Sequence, residues 1–508
     1  MPTVNIAKTT TQLFIMRVVG MVLSVVSVTI TAKFFGVSVE KDCWVLALAV
    51  TTTVVQAVWG PLNETFRAKF VFIREEEGVD KAVSMTASLI GFIFVATSLL
   101  SVVVLFFSEE ISLFMIGNIP SDSSVFFNIL LISLIPTMII TEFSKITTSV
   151  LNAFDVFYIP EVVGLVTSVV NIILIILLTP SIGILSLLVA TYVSTSLLLA
   201  VDIFYLRKKK IYIWNKLLRF NYDDVKPYMI FALPFFFPYF VGQINGLSEK
   251  YIAALLGQGA ISSLDYSSQF TRILQSVLSS ILTTVMVPIL AKVFANGEIS
   301  RFAAIVRENL RVCMLILMAF CTFLFGGAEP ICRFFFYRGK VSADQLAVII
   351  ELTRLYSLTF ICIFLYLLFG YALLSLGRGK LYASIGVLTQ IMVTVLFVLG
   401  YWTFGSLYIF PLAAGVAHLI AAAVMMYYAR GVVSKQLIWF VVRSYLVMVF
   451  FSAIIYLLNE GLHIEHVVLQ LILNGFIVVL TFLLASLLLG YDVKSIWSQI
   501  TDKVKRQL

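Results

Sequence analysis

Apolar residues in this chain fall into long runs separated by short polar breaks. A membrane-spanning helix needs about 20 predominantly apolar residues, and fourteen runs meet that length. The first seven lie near residues 10–35, 43–70, 83–107, 124–149, 158–178, 182–206 and 227–256. The other seven lie near 263–294, 302–326, 342–376, 382–404, 406–430, 437–459 and 466–490. The pattern predicts an all-α polytopic membrane protein with 14 transmembrane helices.

The stretch Gly257 to Glu298 has a weaker copy at Gly36 to Gly78. In each, a glycine is followed within nine residues by an aspartate (Asp42, Asp265). A long apolar helix then runs to a proline (Pro61, Pro288) and a basic end. The glycines are 221 residues apart, the aspartates 223 and the prolines 227. A near-constant offset points to two related halves. The longest polar break, 207–226, is the expected boundary between a first half at 1–206 and a second at 227–430.

That break is either a basic linker or a helix lying in the membrane interface, with Trp214, Leu217 and Leu218 on one side. The seventh run carries Pro234, Pro238, Gly242 and Gly246, a density that predicts a broken or bent helix with hinge character. The tail 491–508 places Val493, Ile496, Trp497, Ile500 and Val504 at helical spacing among basic residues, as in an amphipathic cytoplasmic helix.

Composition agrees with this reading. Hydrophobic residues make up 61% and charged residues 12%, against about 45–50% and 25% in soluble domains. With the N-terminus placed inside, 25 of the 35 Lys and Arg fall in inner segments and 5 in outer ones. The positive-inside rule then puts both termini in the cytoplasm and supports an even helix count. The net charge of +8 is thus a topology signal and an attraction to membrane lipids, not a nucleic-acid footprint. The first run is too long for a cleavable signal. Five scattered cysteines, without metal-ligand spacing, read as packing residues.

No phosphate-binding loop, nucleophile elbow or zinc helix appears, so neither an enzyme nor ATP-driven transport is expected. His463 and His466 read as a solvated outer loop, and His418 as a hydrogen-bonded core residue. Intramembrane charges carry more weight, because a central Arg or Lys costs at least about 2.5–3.5 kcal/mol to insert. The set is Arg17, Glu142, Lys145, Glu249, Lys250, Arg272, Glu351 and Arg354. Glu142–Lys145 and Glu351–Arg354, three residues apart, can neutralise one another. Arg17 and Arg272 have no evident charged neighbour on their own helices. They are expected to line a cavity and contact an anionic substrate, since the planar guanidinium suits phosphate. Glu249, beside Lys250, is a candidate for cation or proton coupling.

Several pieces resemble the MurJ/MviN-type lipid II flippases, within the multidrug/oligosaccharidyl-lipid/polysaccharide exporter superfamily. They are Arg17-Val-Val-Gly20, Phe34-Phe-Gly36 leading to Lys41-Asp42, Gln243-Ile244 and Tyr266 to Arg272. Val287 to Gly297 and Phe336 to Asp344 are the more specific pieces, and the resemblance covers roughly residues 10–400. It implies two six-helix lobes around a cationic cavity that opens alternately inward and outward. It also implies a final helix pair, within 431–490, forming a groove for a polyprenyl tail. Carried residue by residue, Arg17 and Asp42 match family positions, and the expected cavity residues are Arg17, Asp42, Arg67, Gln269 and Arg272. Where such flippases carry Arg and then Glu three residues on, this chain has Gln269 and then Arg272. The implied protein is a monomer in a bacterial inner membrane, without a cofactor, coupled to Na+, H+ or the membrane potential. Its cargo would be a polyprenyl-diphosphate-linked saccharide, either lipid II or a related precursor. The alternative is an ion-coupled drug antiporter of the same superfamily.

Orientation has a direct check. Protease-cleavable tags at both ends should resist external protease in intact spheroplasts and be cut only after permeabilisation. Cleavage of one tag from outside would require an odd number of spans.

Overall fold

The computed structural model describes residues 6–120, 122–154, 156–337, 339–430, 435–461 and 466–488. The expected amphipathic tail at 491–508 and His463 lie outside these residues. Among the described residues there are seventeen α-helices and no strand. The first eight are α1 (Ile6–Phe35), α2 (Val39–Glu77), α3 (Val79–Phe106), α4 (Ser108–Met115), α5 (Ser123–Ala153), α6 (Tyr158–Ile182), α7 (Leu185–Lys208) and α8 (Tyr222–Leu255). Next come α9 (Ala260–Ile281), α10 (Val287–Ala295), α11 (Ile299–Gly326), α12 (Ala328–Phe336) and α13 (Ala343–Ser375). The last four are α14 (Gly379–Phe404), α15 (Ile409–Tyr428), α16 (Lys435–Gly461) and α17 (Val467–Leu488).

Thirteen of the fourteen predicted runs form helices long and apolar enough to cross a membrane. The eighth, 263–294, is the exception. It splits into α9 and α10 around a π-helical turn at Leu282–Met286. Two causes are visible in its residues. Its first half is rich in Ser, Thr and Gln, and Pro288 has no N–H for the preceding turn, so the hydrogen-bond register is free to slip there. Proline is tolerated in the first turn of α10, where a missing donor costs little.

Of the expected break or bend, α8 shows no break. It runs unbroken through Pro227, Pro234 and Pro238, and through Gly242 and Gly246. Pro234 and Pro238 are four residues apart, so both remove donors from one face while the other face keeps its ladder.

Two compact units emerge, Met1–Ser262 and Ser263–Leu508. In the first, α2 is the spine and packs on α3, α5 and α8. Its apolar face carries Trp59, Leu62, Phe66 and Phe70, all buried. Phe66 stacks on Tyr228 of α8 at 5.4 Å, and Trp59 donates Nε1 to Thr97 of α3 at 2.9 Å. α1 lies on α6, α6 on α7 and α7 on α5. In the second unit α13 takes the spine's place, contacting α10, α11, α12, α14 and α15, while α16 and α17 pack on α11. Its core includes Leu310, Met314, Phe360, Phe364, Phe369 and Met425.

The strap between α7 and α8 is not helical, so the interfacial-helix alternative for 207–226 does not hold. Polar anchoring explains why. Lys216 donates Nζ to Ser84 at 2.8 Å and to Asp224 at 3.3 Å, and Asp224 also accepts from Ser88 and Lys81 at 2.8 and 3.2 Å. Ile213 is buried, and Trp214 meets Phe143 edge to face. The strap's backbone crosses α3 at Gly91, where a Cβ would collide with the carbonyl of Lys216 and crowd Leu217 and Phe220.

Gly91→Leu should therefore lift the strap. Tryptic cleavage at Lys216 and Arg219 in detergent should accelerate several-fold, while Gly164→Leu, in open space, should leave it unchanged.

Candidate functional site

Asp42 lies in the first turn of α2 and is fully buried. Ser38 caps that helix by accepting from the Lys41 amide at 3.2 Å. The Asp42 carboxylate accepts from the amides of Gly259 and Ser262 at 2.5 and 2.8 Å and from the Ser262 hydroxyl at 2.7 Å. It thus caps the start of α9, where free amides and the helix dipole favour an anion. Gly259 has φ +82° and sits against Val37, too close for a Cβ. Nearby, Asn118 donates to the Leu255 carbonyl at 2.6 Å, and Phe114 stacks on Tyr251 at 4.6 Å, fixing the end of α8.

Several other charges of the first unit gather around α2, α5 and the start of α6. Glu142 is fully buried and accepts from Lys145 at 2.7 Å, the pairing its spacing predicts. It also accepts from Asn63 of α2 at 2.8 Å. Arg67, one turn after Asn63, is exposed and stands over the Phe157 ring at 5.0 Å. Arg17 reaches Glu161, in the first turn of α6, at 3.6 Å and is 47% exposed. Arg17 and Arg67 therefore both converge on the N-terminal turn of α6. Glu249 and Lys250, near the end of α8, pair with one another at 2.9 Å.

In the second unit Arg272 donates to the Asp265 carboxylate and to Gln269, both at 2.8 Å, and to the Asp265 carbonyl at 2.9 Å. The expectation that Arg272 has no charged neighbour on its helix is corrected. Seven residues are nearly two full turns, so Asp265 and Arg272 share a face. Arg272 is still 44% exposed, and Gln269 is buried beside it. Glu351 and Arg354 pair as predicted at 2.5 Å, with Arg354 over the Tyr456 ring. His418 is held by the Ala414 carbonyl at 2.7 Å against Tyr366, as a core residue. His466 joins Arg333, Phe334 and Tyr337 around a pocket of about 320 Å³.

The five cysteines are free thiols, four of them buried. In α12, burial pushes the Cys332 thiol up to about 12, which suits packing rather than reactivity.

Three acidic residues with structural weight escaped the sequence reading: Glu161, Asp224 and Asp202. Asp202 is fully buried in α7, within a run that reads as almost uncharged. A carboxylate inside so apolar a helix is itself the signal that was available.

Chemically, exposed guanidinium groups whose counter-charges are also partly exposed keep donors available to a ligand. Such surface pairs are worth little, and phosphate oxygens can replace or extend them. Arg17 supplies this in the first unit and Arg272 in the second.

This architecture defines an all-α polytopic membrane protein. A solved structure described as lipid II flippase MurJ in an inward closed conformation superposes with a TM-score of 0.78 at 18% identity, covering 96% of this chain and 99% of that one. An inward-facing multidrug resistance MATE family transporter gives 0.69 at 12% identity, covering 82% and 97%. These likenesses establish the fold. Residues 31–477 match the family model described as lipid II flippase MurJ, and the chain belongs to that family. The lipid II flippase MurJ of Burkholderia cenocepacia is 21% identical over 345 residues, 66% of this chain and 67% of its own length.

The buried pair gives a stability test. Glu142→Ala strands Lys145 and Asn63 and should cost about 2–3 kcal/mol, read as a lower melting temperature in detergent. Glu142→Ala with Lys145→Met should recover most of that loss.

Proposed function

We propose that this chain carries a polyprenyl-diphosphate-linked saccharide from the cytoplasmic to the outer leaflet of a bacterial inner membrane by alternating access. Family membership supports a flippase of lipid-linked precursors. The observation that carries the finer reading is the exposure of Arg17 and Arg272 in a chain this apolar, at 47% and 44%. In lipid such side chains are costly unless they face water or an anion. A diphosphate offers the acceptor oxygens that a guanidinium fork engages in pairs. Arg67 and Gln269 add donors, and Asp42 contributes by fixing the start of α9 rather than by touching the lipid.

Transport draws on an ion or on the membrane potential, with Glu249 and Lys250 as one candidate element. The proline face of α8 gives it a side on which bending is cheap. The protein works as a monomer with both termini cytoplasmic, and moves its cargo without chemical change. The likeness to a MATE family transporter supports a second reading, an ion-coupled drug antiporter. Cationic drugs call for acidic cavity residues, however, and the three exposed residues singled out above, Arg17, Arg67 and Arg272, are basic.

Native mass spectrometry from nanodiscs separates these readings. The panel is lipid II, a non-peptidoglycan undecaprenyl-diphosphate sugar and a cationic dye. A diphosphate lipid should stay bound, and Arg17→Ala with Arg272→Ala should weaken it at least about tenfold, one charge-assisted hydrogen bond being worth about 1.5–3 kcal/mol. Retention of the dye alone would overturn the flippase reading, and unchanged lipid binding in the double variant would overturn the arginine roles.

A further inference from the structure

Among the intramembrane carboxyl groups described above, Asp202 has the least compensation. It is fully buried on the packed stripe of α7, four residues before Leu206. One oxygen, Oδ2, accepts from Thr148 of α5 at 2.6 Å. The other, Oδ1, is buried without a hydrogen-bond partner. Among the described residues no Lys, Arg or His pairs with it.

The charged groups on neighbouring elements are engaged elsewhere. On α5, Lys145 is held by Glu142. On α6, Glu161 is held by Arg17. On α7 itself, Arg207 and Lys208 occupy the last turn, and Tyr192 donates to the Ser133 carbonyl. α5 and α6 are the principal helices packed on α7. Asp202 therefore has a hydroxyl on one side and nothing on the other.

A bare carboxylate in such a place is one of the costliest groups a membrane protein can hold. Something positive has to share the site. A sodium ion needs several oxygen ligands, and the described surroundings supply two carboxylate oxygens and one hydroxyl. A proton needs only one oxygen, and Oδ1 has nothing else to do. Ser144, one turn before Thr148 on α5, also has a buried hydroxyl without a partner, so the polar surface continues along α5 for a second step.

We propose that Asp202 is a proton-binding site of the first unit, with the proton on Oδ1 while Oδ2 keeps the Thr148 bond. Binding is the simple association of carboxylate and proton, and release is its reversal. α5 also carries the Glu142–Lys145 pair, so opening the α5–α7 seam to let the proton leave disturbs the helix that holds the charges beside Arg67. Its use as a coupling proton rests on the transport reading above; its existence as a site does not.

Infrared difference spectroscopy on the full chain in nanodiscs, stepped between acidic and alkaline buffer, tests the site. Wild type should show a protonated-carboxyl C=O stretch that is lost in Asp202→Asn and kept in Glu109→Gln, an exposed residue of α4. Asn keeps the shape and the Thr148 contact. If that variant fails to fold, Thr148→Val provides a second reading, because loss of the donor should raise the frequency of the same band. A band unchanged in Asp202→Asn, or one shifted by Na+ at constant pH, overturns the proposal. A second arm follows a fluorescent undecaprenyl-diphosphate disaccharide in proteoliposomes with and without a pH gradient. Wild-type stimulation by the gradient should disappear in Asp202→Asn, and stimulation that persists overturns the coupling role. No transport by wild type rejects the flippase reading and leaves the infrared result to decide Asp202.

Discussion

The cost of an uncompensated charge in hydrocarbon governs this molecule more than any single contact. Apolar packing inside a bilayer gains little from water exclusion, since lipid tails are as apolar as leucine. Polar groups therefore decide which helices must touch. Glu142, Lys145 and Asn63 tie α2 to α5, and Arg17 with Glu161 ties α1 to α6. Lys81, Lys216, Ser88 and Asp224 bind α3, the strap and α8 at one point. Each tie is a place where separating two helices would strand a charge.

These ties differ in exposure, and the difference has functional weight. Glu142 and Asp224 are buried, so their pairs act as fixed rivets. Arg17, Arg67 and Arg272 keep an open side. The same residue chemistry thus serves two ends: buried acids hold helices together, while exposed guanidinium groups stay available to an anion. Asp42 belongs with the rivets despite its place among the resemblance-derived cavity residues, because all three of its hydrogen bonds run to the start of α9.

Most of the fold was legible in the sequence because bilayer thickness imposes a length on every spanning helix. The eighth run is helical but interrupted by a π turn before Pro288, and polar residues dilute its apolar signal. Short α4 and α12 were not foreseen, since eight or nine residues leave no periodic signature. At the site, i,i+3 partners such as Glu142–Lys145 and Glu351–Arg354 were readable from spacing alone. Arg17–Glu161 spans 144 residues, and nothing in the linear chain announces it. Asp265–Arg272 lies between these cases, on one helix but beyond the adjacent turn. Asp202 was passed over because it sits in a run whose average is overwhelmingly apolar.

The Asp42 joint also bears on how the chain is made. Its carboxylate emerges from the ribosome early, yet its partners are the backbone at 259 and both donor groups of residue 262. For more than two hundred residues of synthesis the acid has none of its native donors. Residue 262 is also the last of the first compact unit. Closure of the joint therefore marks the moment when that unit can become complete, before the last helices have been made. A nascent chain arrested upstream of that point would hold a carboxylate without its native donors.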